Sequence, residues 1–433
     1  MSQRDGVLIR GGRVVDQRID ERADVLVLGG IVQGVGDGLD APRGVQVIQA
    51  DGCVVCPGLV DLHTHLREPG REDAETVASG ARAAALGGYT AVVAMPNTDP
   101  PIDSAQMVRE VLELGKQSCV HVAVAGTITK GRRGESLAPL YEMAEAGAVM
   151  FTDDGNGVQD AGLMRLAMEY VRPLGIPLAE HCEDEALARG GQVHEGAVSS
   201  RLGLPGQPAE AEEAMVARDI VLARLTGARV HLMHLSTAGS VALLAHAKAD
   251  GLPISAEATP HHLCLTDDSL DRFDPVYKVK PPLRPAAHVQ AVREALAAGV
   301  IDAVATDHAP HGIQDKEVAF EEAAFGMTGL ESALSVVLTE LVLPGRMALR
   351  EALSRMSWQP AAIASLAGQG RPVAPGEPAN LCVFDPEEVF VLDAAHLGSK
   401  SRNSPFLGRK LQGRVRHTLV GGRLVVKDGE VLQ

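Results

Sequence analysis

The chain has 433 residues, 45% of them hydrophobic and only 3% aromatic, and its formal net charge is −16. That length holds two to three domains, or one large barrel with an attachment, on a core of Ala, Val and Leu rather than rings. The acidic balance and the lack of any Lys/Arg block argue against nucleic acid or acidic membrane as a main partner.

The opening Met1-Ser2-Gln3-Arg4-Asp5 carries no signal-peptide core, and no apolar run reaches membrane-span length, so a cytoplasmic protein is expected. In the first 57 residues, short apolar stretches (Gly6–Ile9, Asp24–Leu28, Val45–Ile48) are broken by Gly, Asp and Pro, as in a small antiparallel β unit. Cys53 and Cys56 form a CxxC inside an apolar run, and a packed, reduced pair is expected there rather than a redox or zinc site. The other cysteines are scattered and imply no disulfide framework.

Eight short apolar runs follow: Leu59–Asp61 leading to His65, Thr90–Met95, Val120–Ala125, Ala148–Phe151, Pro177–His181, Val230–His234, Ile254–Ala258 and Ala303–Asp307. Amphipathic, Ala-rich stretches such as Glu75–Leu86, Ala105–Lys116, Ala211–Thr226 and Ala287–Ala298 fall between them. Eight βα units predict an α/β chain with a (β/α)8 TIM barrel. A doubly wound open sheet competes, but no GxGxxG opens a helix after a strand. The segment from Gly312 to Glu331 shows no strand and reads as a loop over the barrel mouth. The last sixty residues return to β patterns at Ala379–Phe384, Val389–Leu392, Val415–Val420 and Leu424–Val426. The two β-rich ends are expected to meet as one small β-sandwich. The expected division is therefore 1–57 and 371–433 for the sandwich, with 58–370 for the barrel.

The chemistry gathers where strands end, which in such a barrel is the active face. The first strand closes in His63-Thr64-His65. Residues i and i+2 of a strand share a face, roughly 6.6 Å apart, and two imidazoles so placed can close on one metal at about 2.0–2.1 Å per bond. Alone, such a pair is also an ordinary polar strand end. The fourth strand runs into Thr152-Asp153-Asp154-Gly155, the fifth into His181, the sixth into His234 and the eighth into Thr306-Asp307-His308. A lone strand-end Asp is usually a helix cap. Five strand ends bearing His or Asp on one rim point instead to a metal centre. Four His and two Asp exceed what one tetrahedral zinc needs, so two metals bridged by a carboxylate fit better, and the imidazole-rich set suits Zn²⁺ over Mg²⁺. The reaction such a pair supports is hydrolysis of an amide-like bond.

The motifs Asp61–Gly70 (DLHTHLREPG), Met95–Thr98 (MPNT), Phe151–Gly155 (FTDDG), His181–Asp184 (HCED), Thr259–Leu263 (TPHHL), Pro281–Arg284 (PPLR), Ala305–His311 (ATDHAPH) and Phe325-Gly326 carry a resemblance. The chain resembles the dihydroorotases of the amidohydrolase superfamily, in particular the bacterial class I type, across the whole barrel. The resemblance implies that His63, His65 and Asp307 bind a first metal and that His181 and His234 bind a second. It also implies that Asp154, rather than Asp153, bridges them with a hydroxide, where many superfamily members use a modified lysine. The implied cofactor is zinc, two per subunit. Asp307 is the implied general base and acid. His65, Arg67, Asn97, His311, Phe325 and Gly326 are the implied substrate contacts, with the Arg67 fork suited to a carboxylate. The implied reaction is reversible closure of N-carbamoyl-L-aspartate to dihydroorotate in pyrimidine synthesis.

Two positions depart from the family pattern. Lys280 stands where Asn commonly precedes PPLR, and Lys lacks the acceptor that Asn offers, so Lys280 is left without a role. Ala324 stands where Pro often precedes Phe-Gly, which is expected to loosen that loop. Other readings are a hydantoinase- or allantoinase-like cyclic amidase, which usually shows the bridging lysine, or a weakly active homologue serving as partner of aspartate carbamoyltransferase. A homo-oligomer is left open; the substrate is a small molecule, with neither nucleic acid nor membrane as partner.

Overall fold

The computed structural model describes residues 6–432, so the opening Met1–Asp5, read above for a leader, lies outside the described residues. Five strands come first: β1 (Gly6–Val15), β2 (Asp20–Leu28), β3 (Ile31–Gly36), β4 (Gln46–Gln49) and β5 (Val54–Pro57). Then come β6 (Leu59–Thr64), β7 (Tyr89–Ala94), β8 (His121–Gly126), β9 (Ala148–Phe151) and β10 (Leu178–Glu180). A short parallel pair, β11 (Val193–His194) and β12 (Gly206–Gln207), precedes β13 (Val230–Leu232), β14 (Ile254–Ala258) and β15 (Ala303–Val304). The chain closes with β16 (Leu381–Val391), β17 (Lys410–Val420), β18 (Arg423–Lys427) and β19 (Glu430–Val431).

Strands β6, β7, β8, β9, β10, β13, β14 and β15 neighbour one another in that order and run parallel, with helices between them. This is the (β/α)8 barrel. Its strands are apolar on both faces because both are covered. Along β7 and the residue after it, Ala91, Val93 and Met95 join the inner cluster, while Tyr89, Val92 and Ala94 pack outward. Ala123, Ala125, Ala179, Ala303 and Ala305 fill the same inner cluster, so small residues, not rings, occupy the barrel. Helix starts follow local caps. Thr76 and Ser79 form a capping box, so the first barrel helix begins at Val77 rather than at Glu75, whose side chain turns inward to His308.

The seam between β6 and β15 is closed by a short backbone bridge and by side chains. Thr64 and His308 form one bridge, and the His65 amide donates to the His308 carbonyl at 2.9 Å. The buried Asp61 carboxylate accepts from the Thr306 amide at 2.8 Å and from the Thr306 and Thr64 hydroxyls, each at 2.6 Å.

The terminal strands form one nine-stranded sheet, β19-β18-β17-β16-β5-β1-β2-β3 with β4 beside β1, around a core that includes Val7, Ile9, Val25, Val55, Leu381 and Val383. The two ends meet where β5 pairs antiparallel with β16. The expected antiparallel unit is in fact mixed, because β1 runs parallel to both β4 and β5. Nor is Val389–Leu392 a separate strand. It continues β16 across a bulge at Asp385, whose carboxylate accepts from the Glu387 and Glu388 amides. The two cysteines of the CxxC are reduced, as expected, but pack against different cores. Cys53 packs toward the small core, whereas buried Cys56 lies opposite Cys382 on β16, and all six cysteines are free. No helix among the described residues is long and apolar enough to cross a membrane.

Candidate metal centre

Strand ends from across the barrel converge on one buried cluster. His63, His65 and Asp307 offer ligand atoms that lie within 4.8 Å of one another, and so do His63, Asp154 and His234. His63 Nε2 is 3.4 Å from both Asp154 Oδ1 and Asp307 Oδ1, and His65 Nε2 is 3.1 Å from Asp307 Oδ1. Asp154 stands in the middle. Its Oδ2 is 3.4 Å from His65 Nε2, while its Oδ1 is 3.5 Å from His181 Nδ1 and 3.7 Å from His234 Nε2. His181 Nδ1 and His234 Nε2 are only 2.9 Å apart.

The neighbouring Asp153 is turned away. Its Oδ1 accepts from the Ile128 and Thr129 amides at 2.8 and 3.0 Å, and its Oδ2 takes the Thr129 hydroxyl. Both oxygens are thus committed to the loop after β8. Burial pushes the Asp153 carboxyl up. For Asp154 burial works in the same direction, yet His63, His181 and His234 hold its carboxyl well below the usual range. Asp307 is also held low, against burial, by His63 and His65.

The outer nitrogens of two histidines are fixed by acceptors. His63 Nδ1 donates to Glu257 Oε1 at 2.8 Å, and His65 Nδ1 donates to Asn97 Oδ1 at 2.8 Å. Each bond directs the Nε2 lone pair into the cluster. Glu257 also lies 3.0 Å from His231 Nε2, and against its full burial the two imidazoles hold its carboxyl down at about 2. His63 Nε2 is buried with no hydrogen-bond partner among protein atoms. An orphaned imidazole nitrogen facing two ionised carboxylates is the donor set that a borderline cation such as Zn²⁺ takes, so the residues fit a metal.

Above the cluster opens a cavity of about 290 Å³, lined by His65, Arg67, Asn97, Lys280, His311, Phe325 and Gly326 among others. Arg67 Nε donates to the Pro310 carbonyl at 3.1 Å, and no ion pair involves Arg67 among the described residues. Desolvation lowers its pKa to about 10, against the pull of the Asp307 and Asp154 carboxylates. Burial, with Arg67 and Lys316 nearby, pushes His311 down to about 3, so the ring is neutral. Its Nε2–H donates to the Phe325 carbonyl at 2.7 Å. Three residues of the site hold left-handed backbones, Arg67 (φ 61), His234 (φ 34) and Asp307 (φ 46). Such conformations cost about 1–3 kcal/mol each and persist where the surroundings over-determine them. A second cleft, about 610 Å³, shares His311 with this wall but contains none of the metal cluster.

Every residue expected at the site therefore lies at this one place. Lys280, left without a role, also lines the cavity and pairs with Glu183 at 2.7 Å. The expectation that Ala324 loosens its loop is overturned. Its amide donates to the Asp315 carbonyl at 3.0 Å, a bond that Pro could not make, and its carbonyl accepts from Lys316. Sequence reasoning missed Glu257, Glu183 and Asp61. Glu257 carried a signal, as the one charged residue in the apolar run Ile254–Ala258.

Comparisons agree with this geometry. A family model described as "Dihydro-orotase-like" matches residues 52–240. The chain is 50% identical over 427 residues to the dihydroorotase of Streptomyces coelicolor, covering 98% of this chain and 99% of that protein. It is 48% identical over 429 residues to the dihydroorotase of Mycobacterium tuberculosis, at 98% and 99% coverage. Among solved structures, the L-hydantoinase (dihydropyrimidinase) of Arthrobacter aurescens superposes with TM-score 0.89 at 27% identity, covering 99% of this chain and 97% of that one.

Proposed function

The chain belongs to the dihydroorotase family, and on that premise we propose how its residues divide the work. The activity is that of a cyclic-amide hydrolase, the dihydroorotase reaction: reversible closure of N-carbamoyl-L-aspartate to (S)-dihydroorotate and water, the third step of pyrimidine synthesis. The observation that carries the substrate choice is Arg67. A half-buried guanidinium that forms no ion pair among the described residues, on the wall of the reaction cavity, is placed to take an anionic group of the substrate. Dihydroorotate brings a carboxylate; hydantoin and allantoin bring none.

The metals in this reading are two zinc ions. His63, His65 and Asp307 would hold one, His181 and His234 the other, and Asp154 would serve both. When bound, the pair would activate a water and polarise the ring carbonyl. Asp307, ionised and 3.1 Å from His65, accepts a proton from the attacking water and returns it to the departing ring nitrogen. Microscopic reversibility gives it both duties in ring closure. Arg67 clamps the carboxylate bidentately, the Asn97 amide adds donors once His65 has fixed its oxygen, and His311 supplies the Nε2–H now held by Phe325. The backbone at Phe325-Gly326 meets the imide edge.

We divide the chain at 57/58 and 370/371, assign it to the cytoplasm with its pathway, and read it as catalytic on its own. A non-catalytic homologue kept as a structural partner of aspartate carbamoyltransferase would be expected to have lost ligands, and all six candidate positions are present. The test is ring opening of dihydroorotate, hydantoin and allantoin by one metal-loaded preparation. Turnover of dihydroorotate well above the other two is expected; activity on hydantoin alone would overturn the assignment.

A further inference from the structure

Two lysines outside the metal cluster are buried without a counter-charge. Lys278 and Lys316 are 2% and 8% exposed, and among the described residues neither forms an ion pair. A buried ammonium is tolerated only when its protons find acceptors. Lys278 Nζ donates to the Phe320 and Glu321 carbonyls at 2.8 and 2.9 Å, and sits 4.6 Å from the centre of the Phe325 ring. Lys316 Nζ donates to the Pro275 and Ala324 carbonyls, both at 2.8 Å, and to the Lys278 carbonyl at 3.3 Å. Each lysine thus belongs to one of two segments, 275–280 and 313–326, and donates to the backbone of the other. The Gly326 amide closes the same junction on the Lys278 carbonyl at 2.9 Å.

Both segments end in the wall of the reaction cavity, one at Lys280 and the other at Phe325-Gly326. That wall has no slack. Gly326 holds φ +129, and a side chain there would begin 2.7 Å from Ala309 Cβ and 2.9 Å from His311 Nε2. A shift of the loop by about 1 Å therefore moves the surface that meets substrate and weakens its contacts. We propose that Lys278 and Lys316 are positioning residues, a reciprocal ammonium clasp that acts through Phe325-Gly326 to hold the substrate-facing wall at its working distance from the metal cluster. The inference rests on the reading above that this wall contacts substrate.

The experiment compares the wild type with Lys316→Met, Lys278→Met and Lys316→Arg, measuring KM and kcat for dihydroorotate, bound zinc, and amide hydrogen exchange over 312–326. Losing a charge-assisted clasp should raise KM roughly tenfold with kcat changed less than about twofold. Zinc content should stay constant and exchange over 312–326 should quicken, while Lys316→Arg, which keeps its donors, should recover part of the KM. Unchanged KM and unchanged exchange would overturn the clasp, as would a loss seen only as a smaller folded fraction with KM intact. If one Met variant does not fold, the other decides. A wild type inactive on dihydroorotate would sink the functional reading instead, and the exchange data would still decide whether the two lysines hold the loop.

Discussion

The two aspartates of Thr152-Asp153-Asp154 differ in what already occupies their oxygens. Asp153 is saturated by Ile128 and Thr129, whereas Asp154 faces only imidazoles, and that difference assigns one to the loop and the other to the cluster. The same reasoning applies to Asp307, which is held ionised beside His63 and His65 and is the acceptor aimed into the cavity. Replacing it with Ala should lower dihydroorotate turnover by about 10³-fold or more, since general acid–base catalysis is worth about 10²–10⁴ and a metal ligand is lost as well. Circular dichroism should show the fold retained, and substantial residual turnover would remove Asp307 from the proton path. The clustering of these residues was legible in the sequence because each stands at or just after the end of a strand, and strand ends share one rim. Glu257 was not read, because a lone Glu in an apolar strand looks like a tolerated exception until its partners, His63 and His231, are seen across the barrel.

At the scale of elements, the eight parallel strands were legible from apolar runs alternating with amphipathic stretches. Two features were not. The parallel pairing of β1 with β4 and β5 is a non-local choice that period-2 patterning does not record. At the barrel seam the backbone bridge between Thr64 and His308 is joined by one buried side chain, Asp61, which accepts from the Thr306 amide and from the Thr306 and Thr64 hydroxyls. Asp61→Ala leaves the buried Thr306 amide without its partner, so urea unfolding should show a loss of about 3 kcal/mol. A change within about 0.5 kcal/mol would mean that the Thr64–His308 bridge suffices. The segment 312–331 was correctly read as strandless and near the mouth. Its tethering was invisible, because Lys278 and Lys316 belong to no motif and Ala324 looked like a loosening departure from Pro.

For the whole molecule, the six candidate ligands stand at or just after the ends of five strands, β6, β9, β10, β13 and β15, so a metal bound there would tie together much of the barrel's rim. The small β unit built from both chain ends lies apart from this chemistry and supplies none of the ligands. Its architecture was expected from composition at the termini, although its mixed pairing was not. Because metal binds only the folded arrangement, removing it should lower the melting temperature as well as the activity. The most direct test strips the protein with chelator and titrates zinc back while following dihydroorotate ring opening and zinc per chain. Turnover is predicted to vanish in the stripped protein and to climb until two ions are bound per chain. Full turnover without metal, or saturation with a single ion and no gain from a second, would contradict the bridged two-metal centre.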